Sequence, residues 1–375
     1  MSRRFPGEFE PHEGTIMIWP VRPGSWGKDP SAAQEAFINI FRAILESEDI
    51  YVLFNRDTSD TMIESVRSRV VCPDQAGRFI PLRIDSDDSW ARDTGPTFIY
   101  EDQSDKPVGI DWGFNAWGGD YDGLYSDYDK DIDVASSFCS KAGFPSVNKR
   151  DLILEGGSIA TDGEGTVMVT ESCLLSKGRN PLFSKDEITE ILCDSLGASK
   201  VLWLPRGIYN DETNEHVDNM AAFTAPGEVI LAWTDNTDDP QYELSRASYE
   251  YLSGITDAKG RKLKIHKLPV PDVPVTVSEK DLDNLVFEEG EDQRKAGERL
   301  AASYVNYYYT NGSILFPQFG GDNTVSDRRA VEIMRKHAGS RKVIPVYARD
   351  ILTGGGNIHC ITQQIPKIKG GAKHE

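Results

Sequence analysis

Residues 166–204, TVMVTESCLLSKGRNPLFSKDEITEILCDSLGASKVLWL, predict a strand, a helix and a second strand in succession. The helix has clear boundaries, because Ser184 and Glu187 form a capping-box signature and Gly197 supplies a stop. Between them, apolar residues at 188, 191, 192 and 196 recur at helical spacing. The flanking runs are short and rich in β-branched and aromatic residues, as strands are. This stretch therefore indicates an α/β unit.

The same alternation continues in both directions along the chain. Further strand-like runs occupy 15–19, 50–54, 108–110, 229–233 and 313–316, and further helical patterns occupy 37–45, 132–139 (ending near Gly143) and 326–339. Strands and helices that alternate throughout predict an α/β fold. No composition break divides the chain, so we expect one catalytic domain over 1–375. Its proline-rich and charged segment 269–299 is expected to be a long excursion from that domain.

Charge restricts the kind of partner. The chain has 41 Lys and Arg against 60 Asp and Glu, a net charge of -19, which disfavours a nucleic-acid ligand and would attract a small cation. The interpretation that this acidity serves only solubility stays open. Its five cysteines are scattered without a CxxC pair, which disfavours a disulfide framework and a zinc–cysteine site. No apolar run is long enough for a membrane helix. The first ten residues lack an apolar stretch, which predicts no secretory signal and a cytoplasmic location.

The segment GGGNIHC (354–360) ends in a candidate nucleophile, Cys360. Its glycines permit unusual backbone conformations and close approach of a ligand. No Gly-Lys-Ser/Thr follows them, which argues against a phosphate loop. A lone cysteine is commonly a small buried hydrophobe, so that interpretation stays open. If the run after the loop is extended, the neighbouring His359 points to the opposite face, and a base from elsewhere is the better partner.

His216 and Asp218 offer such a partner. Two residues apart in EHVDN (215–219), they would face the same way in a strand and could act as an acid/base imidazole beside a carboxylate. Three other interpretations remain: a structural histidine, an aspartate that only orients it, or a metal site formed with Glu215.

Two further segments carry clustered carboxylates. DSDDSWARDTGP (85–96) places acids around Trp90, which suits either a solvated loop or a site that stacks and hydrogen-bonds a guanidinium or ammonium ion. In LEGGS (154–158), Glu155 precedes two glycines, a pattern typical of a turn as well as of a site.

Together these segments resemble the guanidine-modifying enzymes, and among them the agmatine deiminases. The resemblance runs in order along essentially the whole chain and lies in GEFEPH (7–12), IWP (18–20), SWARDTGP (89–96), WGFNAWGG (112–119), EGG (155–157), HVDN (216–219) and GGGNIHC (354–360). It implies a five-bladed α/β propeller of pseudo-symmetric ββαβ modules. It also implies hydrolysis of agmatine to N-carbamoylputrescine and ammonia, a step of polyamine metabolism, through an amidino intermediate on cysteine, with no cofactor and no metal.

Site residues follow from the same resemblance. Cys360 corresponds to the nucleophile and His216 to the general acid/base. Asp93 and Asp218 match the carboxylates that hold the guanidinium, and Glu155 matches one that orients substrate and histidine. Trp90 and Gly356 are further expected substrate contacts, and a homo-oligomer is expected.

One departure leaves the substrate open. Glu215 stands where many relatives have glycine, and a carboxylate there could alter the electrostatics near His216. The alternatives are therefore deimination of free or peptidyl arginine, and a non-catalytic protein that binds guanidines or polyamines.

Overall fold

The computed structural model describes residues 2–287, 291 and 293–369. Within them, the strands are β1 (Arg3–Arg4), β2 (His12–Ile18), β3 (Asp49–Phe54), β4 (Phe79–Arg83), β5 (Thr97–Glu101), β6 (Val108–Gly113), β7 (Ser146–Ile153), β8 (Ala160–Thr161), β9 (Thr166–Thr170), β10 (Lys200–Leu204), β11 (Ala221–Ala225), β12 (Glu228–Trp233), β13 (Lys264–Pro269), β14 (Tyr308–Tyr309), β15 (Ser313–Gln318), β16 (Lys342–Tyr347) and β17 (Gln363–Pro366).

The helices of the same residues are α1 (Pro23–Trp26), α2 (Ser31–Leu45), α3 (Asp60–Val70), α4 (Ala91–Thr94), α5 (Gly119–Asp122), α6 (Asp129–Ile132), α7 (Val134–Ala142), α8 (Glu171–Leu174), α9 (Lys185–Leu196), α10 (Val217–Met220), α11 (Gln241–Gly254), α12 (Glu279–Asn284), α13 (Thr324–Arg335) and α14 (Arg349–Leu352). Single 3-10 turns lie at Gly156–Ser158 and Gly321–Asn323. The strand and helix alternation predicted from the sequence is confirmed as a mixed α/β fold.

The strands of the described residues form five separate sheets that share one pairing pattern. In each, an antiparallel pair is followed by a helix and then by a strand parallel to the second member of the pair. Parallel neighbours require such a crossover, and a helix is its usual form. The units are β5–β6–α7–β7, β8–β9–α9–β10, β11–β12–α11–β13, β14–β15–α13–β16, and β17 with β2–α2–β3–α3–β4. None of these sheets closes on itself.

The last sheet joins the two sequence-distant ends of the fold. β17 pairs antiparallel with β2, with Gln363 opposite Ile16. This pairing brings the residues just before β17 beside the segment just before β2. His359, the residue before Cys360, is thereby placed beside Glu8.

Local signals located several elements well and missed others. Ser184 Oγ accepts from the Glu187 N–H at 3.3 Å at the start of α9, and Gly197 ends that helix with φ of 66°. The single helix expected over 132–139 is instead α6 and α7, which meet at Asp133. The strand expected directly after Cys360 begins only at Gln363, because residues 358–361 form a turn.

Burial follows the helical periodicity. In α9, Ile188, Leu192 and Leu196 are fully buried in an apolar cluster with Val167 and Val169 of β9. Burial of each such side chain contributes about 1.5–3 kcal/mol relative to exposure. A larger apolar cluster holds α2 against β3 and β15, close to the site described below. No helix among the described residues has the length and apolar character needed to cross a bilayer.

The segment 269–299, as far as it is described, folds back on itself. Its helix α12 begins with a capping box between Ser278 and Asp281. Its two ends pair, since the Val277 N–H donates to Glu298 O and the Leu300 N–H donates to Val275 O, both at 2.9 Å. The segment therefore returns to its starting point beside the cavity that it partly lines.

Candidate active site

Cys360 lies between α14 and β17, and its buried side chain faces a cavity of about 300 Å³. The glycines before it allow a close approach to Trp90. A Cβ on Gly356 would lie 2.5 Å from the Trp90 ring and 2.9 Å from Cys360 Cβ, so no larger residue fits. Gly355 has φ of 120°, a conformation that other residues rarely adopt. The glycine loop thus holds the thiol at the wall of the cavity.

Asn306, which sequence analysis missed, contacts the sulfur. Its Nδ2 donates to Cys360 Sγ at 3.4 Å, and its Oδ1 accepts from the His359 N–H at 2.9 Å. Burial, followed by the negative charges of Asp218 and Asp93, raises the pKa of the Cys360 thiol well above its ordinary value, although the Asn306 hydrogen bond acts in the opposite direction. The Cys360 thiol is therefore protonated when no cation is bound beside it, and a bound cation favours the thiolate.

His216 does not lie in a strand. It precedes the helical turn α10, and the chain enters that turn through Asn214 and Glu215 with φ of 62° and 70°. The prediction that His216 and Asp218 share a strand face is therefore wrong, because two left-handed residues turn the chain into a helix. Both side chains nevertheless reach the same place, since His216 lines the cavity and Asp218 contacts Cys360.

Gly157 marks the point where the polar side chains meet. A Cβ on this residue would lie 2.6 Å from His216 Nδ1, 2.9 Å from Asp93 Oδ1 and 3.0 Å from Asp218 Oδ2. The first two distances are shorter than real Cβ atoms show, and the third is unusually tight. The second glycine of the EGG motif is therefore required by the close approach of three functional groups, and the motif is more than a turn.

His216 is surrounded by acidic and polarisable groups. Its Nε2 lies 3.5 Å from Glu155 Oε2, and both side chains are buried. Burial lowers the pKa of His216, but Asp93, Cys173 and Glu155 together raise it well above its ordinary value. The imidazole is therefore protonated near neutral pH, which suits a proton donor.

Glu155 is fixed by a second buried cation. Its Oε1 lies 2.7 Å from Arg179 Nε, and both side chains are completely buried. Burial raises the pKa of Glu155, but the charges of Arg179 and His216 lower it below its ordinary value. Glu155, Cys173 and His216 bring ligand-type atoms within 4.8 Å of one another, but a metal there would face the Arg179 guanidinium. This set is better suited to holding an imidazolium.

Asp93 accepts hydrogen bonds from two neutral donors and lies within range of the His216 charge. Trp117 Nε1 donates to Oδ2 at 3.0 Å, and the Gly157 N–H donates to Oδ1 at 2.9 Å. Burial raises the pKa of Asp93 to about 6, His216 opposes the rise, and Asp218 and Glu155 add to it. Its position on the cavity wall leaves this carboxylate available to a bound cation.

Asp218 belongs to a buried chain of charged groups that the sequence did not indicate. His359 Nδ1 lies 2.8 Å from Asp218 Oδ2, and His359 Nε2 lies 2.8 Å from Glu8 Oε2. Burial and the Arg92 charge lower the pKa of His359, but Glu8 and Asp218 raise it above its ordinary value overall. Both ring nitrogens of His359 are thus held by carboxylates, and His359 anchors the carboxylate beside the sulfur. The extended run on which its opposite orientation was predicted does not form, because the chain turns at 358–361.

Trp90 is positioned by Asp88 at the cavity wall. Asp88 Oδ2 accepts from Trp90 Nε1, and Oδ1 accepts from Trp26 Nε1, both at 2.9 Å. Trp117 packs edge-on against the Trp90 ring, with centroids 6.5 Å apart. The cavity therefore has an aromatic wall that is fixed at its polar edge.

The Glu215 carboxylate points away from the site. Arg206 Nε donates to both of its oxygens at 2.9 Å and 3.0 Å, and the Gly207 N–H donates at 2.6 Å. Its positive φ explains why glycine suits this position. The metal set of Glu215, His216 and Asp218 considered above is not assembled, because Glu215 is turned toward Arg206.

The seven expected site residues lie together. Trp90, Asp93, His216, Gly356 and Cys360 line the cavity, while Asp218 and Glu155 contact members of that set from behind. All seven were predicted from local sequence motifs. Four contacting residues were not predicted as site residues: Glu8 and Trp117 lie within the motifs GEFEPH and WGFNAWGG, whereas Asn306 and Arg179 lie in none of the motifs quoted for the resemblance.

The chain matches the model of the Porphyromonas-type peptidyl-arginine deiminase family over residues 4–366. A protein of Selenomonas ruminantium, provisionally named an agmatine deiminase, is 52% identical over 367 residues, which are 97% of this chain and 96% of that protein. A Latilactobacillus sakei protein with the same provisional name is 47% identical, again over 97% of this chain and 96% of its own length.

The architecture agrees with these matches. The solved structure of the agmatine deiminase of Enterococcus faecalis superposes with a TM-score of 0.90 at 42% identity, covering 98% of this chain and 96% of that one. The resemblance inferred from the sequence motifs is thereby confirmed. The chain belongs to the Porphyromonas-type peptidyl-arginine deiminase family and is similar over nearly its full length to proteins named agmatine deiminases.

Proposed function

We propose that this protein hydrolyses agmatine to N-carbamoylputrescine and ammonia through a covalent amidino intermediate on Cys360. The observation that carries the proposal is that a thiol, an imidazole and an ionisable carboxylate, those of Cys360, His216 and Asp93, border one cavity. Asp218 and Glu155 add buried negative charge directly behind them. Acidic side chains outnumber basic ones among the described residues that line the cavity, which favours a cation, and a guanidinium supplies both the charge and an electrophilic carbon.

Binding sets up the attack. Asp93 and Asp218 accept hydrogen bonds from the guanidinium N–H groups and hold its carbon over the sulfur. The positive charge of the substrate lowers the pKa of the thiol, whose proton is released as the substrate binds. The thiolate then bonds to the guanidinium carbon and gives a neutral tetrahedral adduct.

His216 completes both halves of the reaction. As an imidazolium it donates a proton to one amino group, the C–N bond breaks and ammonia leaves, so that an amidino thioether remains on Cys360. The neutral imidazole then takes a proton from water as the water oxygen bonds to the same carbon. Cleavage of the C–S bond, with transfer of the adduct's hydroxyl proton to the departing sulfur, restores the thiol and releases the ureido product, and Glu155 keeps the imidazole oriented throughout.

The lining of the cavity favours agmatine over arginine. Among the described residues that line it, seven are Asp or Glu and two are Arg. One of these arginines, Arg294, is already paired with Glu212 at 2.7 Å and donates to Thr353 O at 2.8 Å. The α-carboxylate of arginine would enter an acidic environment, whereas the primary ammonium of agmatine would be attracted to it.

The decisive experiment compares three substrates. Purified protein is incubated with agmatine, free arginine and a blocked arginine peptide, and ureido product and ammonia are measured in parallel with a Cys360→Ser control. We expect equal amounts of both products from agmatine and far less from the other two. A higher rate with arginine or the peptide would show that agmatine is not the substrate. Binding of agmatine without turnover would favour a non-catalytic binding protein.

We further propose that the five sheets are the blades of an α/β propeller in a single catalytic domain spanning 1–375. Their common strand order supports this arrangement. A homo-oligomeric state and a cytoplasmic location remain predictions from the sequence.

A further inference from the structure

A second cluster of ligand-type side chains lies outside the cavity. Glu228 begins β12, His266 lies in the neighbouring strand β13, and His337 lies two residues beyond the end of α13. Their ligand-type atoms all lie within 4.8 Å of one another, and the two imidazole rings are in contact with centroids 4.1 Å apart. None of the three lines the cavity around Cys360.

We propose that Glu228, His266 and His337 bind a divalent transition-metal ion, with Zn²⁺ the best-suited ion. Two imidazole nitrogens and one carboxylate oxygen are a ligand set that zinc commonly takes, with water in the fourth position. Calcium and magnesium prefer oxygen ligands and would not select imidazoles. The site is independent of the proposed reaction.

The geometry is close to what zinc requires. Tetrahedral ligands about 2.0–2.2 Å from the metal lie roughly 3.3–3.5 Å from one another. His266 Nε2 and Glu228 Oε2 are 3.4 Å apart. His266 Nε2 is also shielded from solvent and makes no hydrogen bond within the described part of the chain. Rotation of the His337 ring toward this pair would complete three ligands.

Neighbouring groups hold the ligands in place. Lys264 Nζ donates to Glu228 Oε1 at 2.7 Å, which leaves Oε2 free to face His266. Hydrogen bonds of this kind orient ligating carboxylates in metal sites. The His337 N–H donates to Met334 O at 2.9 Å, so the turn that carries the third ligand is also ordered.

A bound ion would connect two of the five sheets. Glu228 and His266 belong to the sheet of β11, β12 and β13, whereas His337 follows the helix of the next unit, which packs on β13. A ligand that binds the folded state but not the unfolded chain stabilises the fold. Zinc should therefore raise the melting temperature without acting at the cavity.

The test uses the full chain after removal of metals with a chelator. Titration with ZnCl₂ in a calorimeter should show one equivalent bound at micromolar or lower concentration. His337→Ala and Glu228→Gln should each weaken binding by about tenfold or more and remove the zinc-dependent rise in melting temperature. Glu332→Gln, on the exposed face of α13, is the matched control and should bind as the unchanged protein does.

Cobalt(II) distinguishes this site from the cluster of Glu155, Cys173 and His216. Binding at Glu228, His266 and His337 gives visible bands of a nitrogen and oxygen ligand set without sulfur-to-cobalt charge transfer. A strong charge-transfer band would place the metal at Cys173 and overturn the proposal. Absence of saturable zinc binding, or binding unchanged in both variants, would also overturn it.

Discussion

His359 and Asp218 are joined by a 2.8 Å hydrogen bond between Nδ1 and Oδ2, and the same Oδ2 lies 3.8 Å from Cys360 Sγ. The residue adjacent to the nucleophile therefore acts on it indirectly, through a carboxylate 141 positions away. Glu8 fixes the other nitrogen of His359 at 2.8 Å. The segment before β2 is in this way coupled to the substrate-binding side of the cavity.

His359→Gln should mainly weaken substrate binding. Loss of a charge-assisted bond to a buried carboxylate costs about 1.5–3 kcal/mol, so kcat/KM for agmatine should fall about 10- to 100-fold. Because Asp218 is a binding group in our proposal, the rise in KM should exceed the fall in kcat. Steady-state kinetics measures both, and Glu332→Gln on the exposed face of α13 is the control that leaves them unchanged. A fall in kcat alone would assign His359 to the chemical step instead.

Cys360→Ser should abolish turnover while the fold is retained. A serine hydroxyl at this position lacks a base strong enough to ionise it, so activity should fall by about 10⁴-fold or more. Mass spectrometry of the unchanged enzyme, quenched during turnover, should detect an amidino adduct on the peptide that contains Cys360. Cys193→Ser is the matched control, because this partly exposed cysteine lies outside the cavity. Turnover by the Cys360→Ser variant would exclude covalent catalysis here.

Gly157→Ala should damage the site more than the fold. Its new Cβ would lie 2.6 Å from His216 Nδ1, so the imidazole and the neighbouring carboxylates must move apart. Overpacking of this kind costs about 1–3 kcal/mol of stability, and misplaced catalytic groups cost about 100-fold in rate. Gly254→Ala at the end of α11 is the control, since a Cβ there meets no atom within 4 Å. Activity assays and urea unfolding of both variants measure the two effects. Normal kinetics of Gly157→Ala would contradict the close approach of His216, Asp93 and Asp218 to Gly157.

Asp93→Asn should stabilise the protein at neutral pH while it removes activity. The pKa of Asp93 is raised from 3.8 to about 6 in the fold, mainly by burial. The protonated carboxyl group of Asp93 therefore stabilises the folded state fully below about pH 4. This stabilisation, on the order of 3 kcal/mol, is lost as the pH rises through about 6. The gain in melting temperature of the variant over the unchanged protein should be larger at pH 7.5 than at pH 4. A difference that does not vary with pH would show that Asp93 titrates normally.

Local sequence signals located the elements whose boundaries are set by neighbouring residues. The capping box at Ser184 and the glycine at 197 bound a helix because both act through hydrogen bonds within one turn. The same reasoning failed at His216, where two left-handed residues, Asn214 and Glu215, replace the expected strand by a turn. The glutamate at position 215 does not by itself indicate a left-handed conformation, because that conformation is stabilised by an ion pair with Arg206, which lies outside the motif.

By itself, the sequence determined the α/β alternation, the acidic charge and the motifs that contain Cys360, His216, Asp93 and Glu155, since these depend on residue type and short spacing. Only the tertiary structure decided that Asn306 would contact the sulfur and that Glu8, His359 and Asp218 would form one buried chain. Such contacts join residues 54 to 351 positions apart. The contact of Glu8 with His359 exists because pairing of β17 with β2 brings two distant parts of the sequence together.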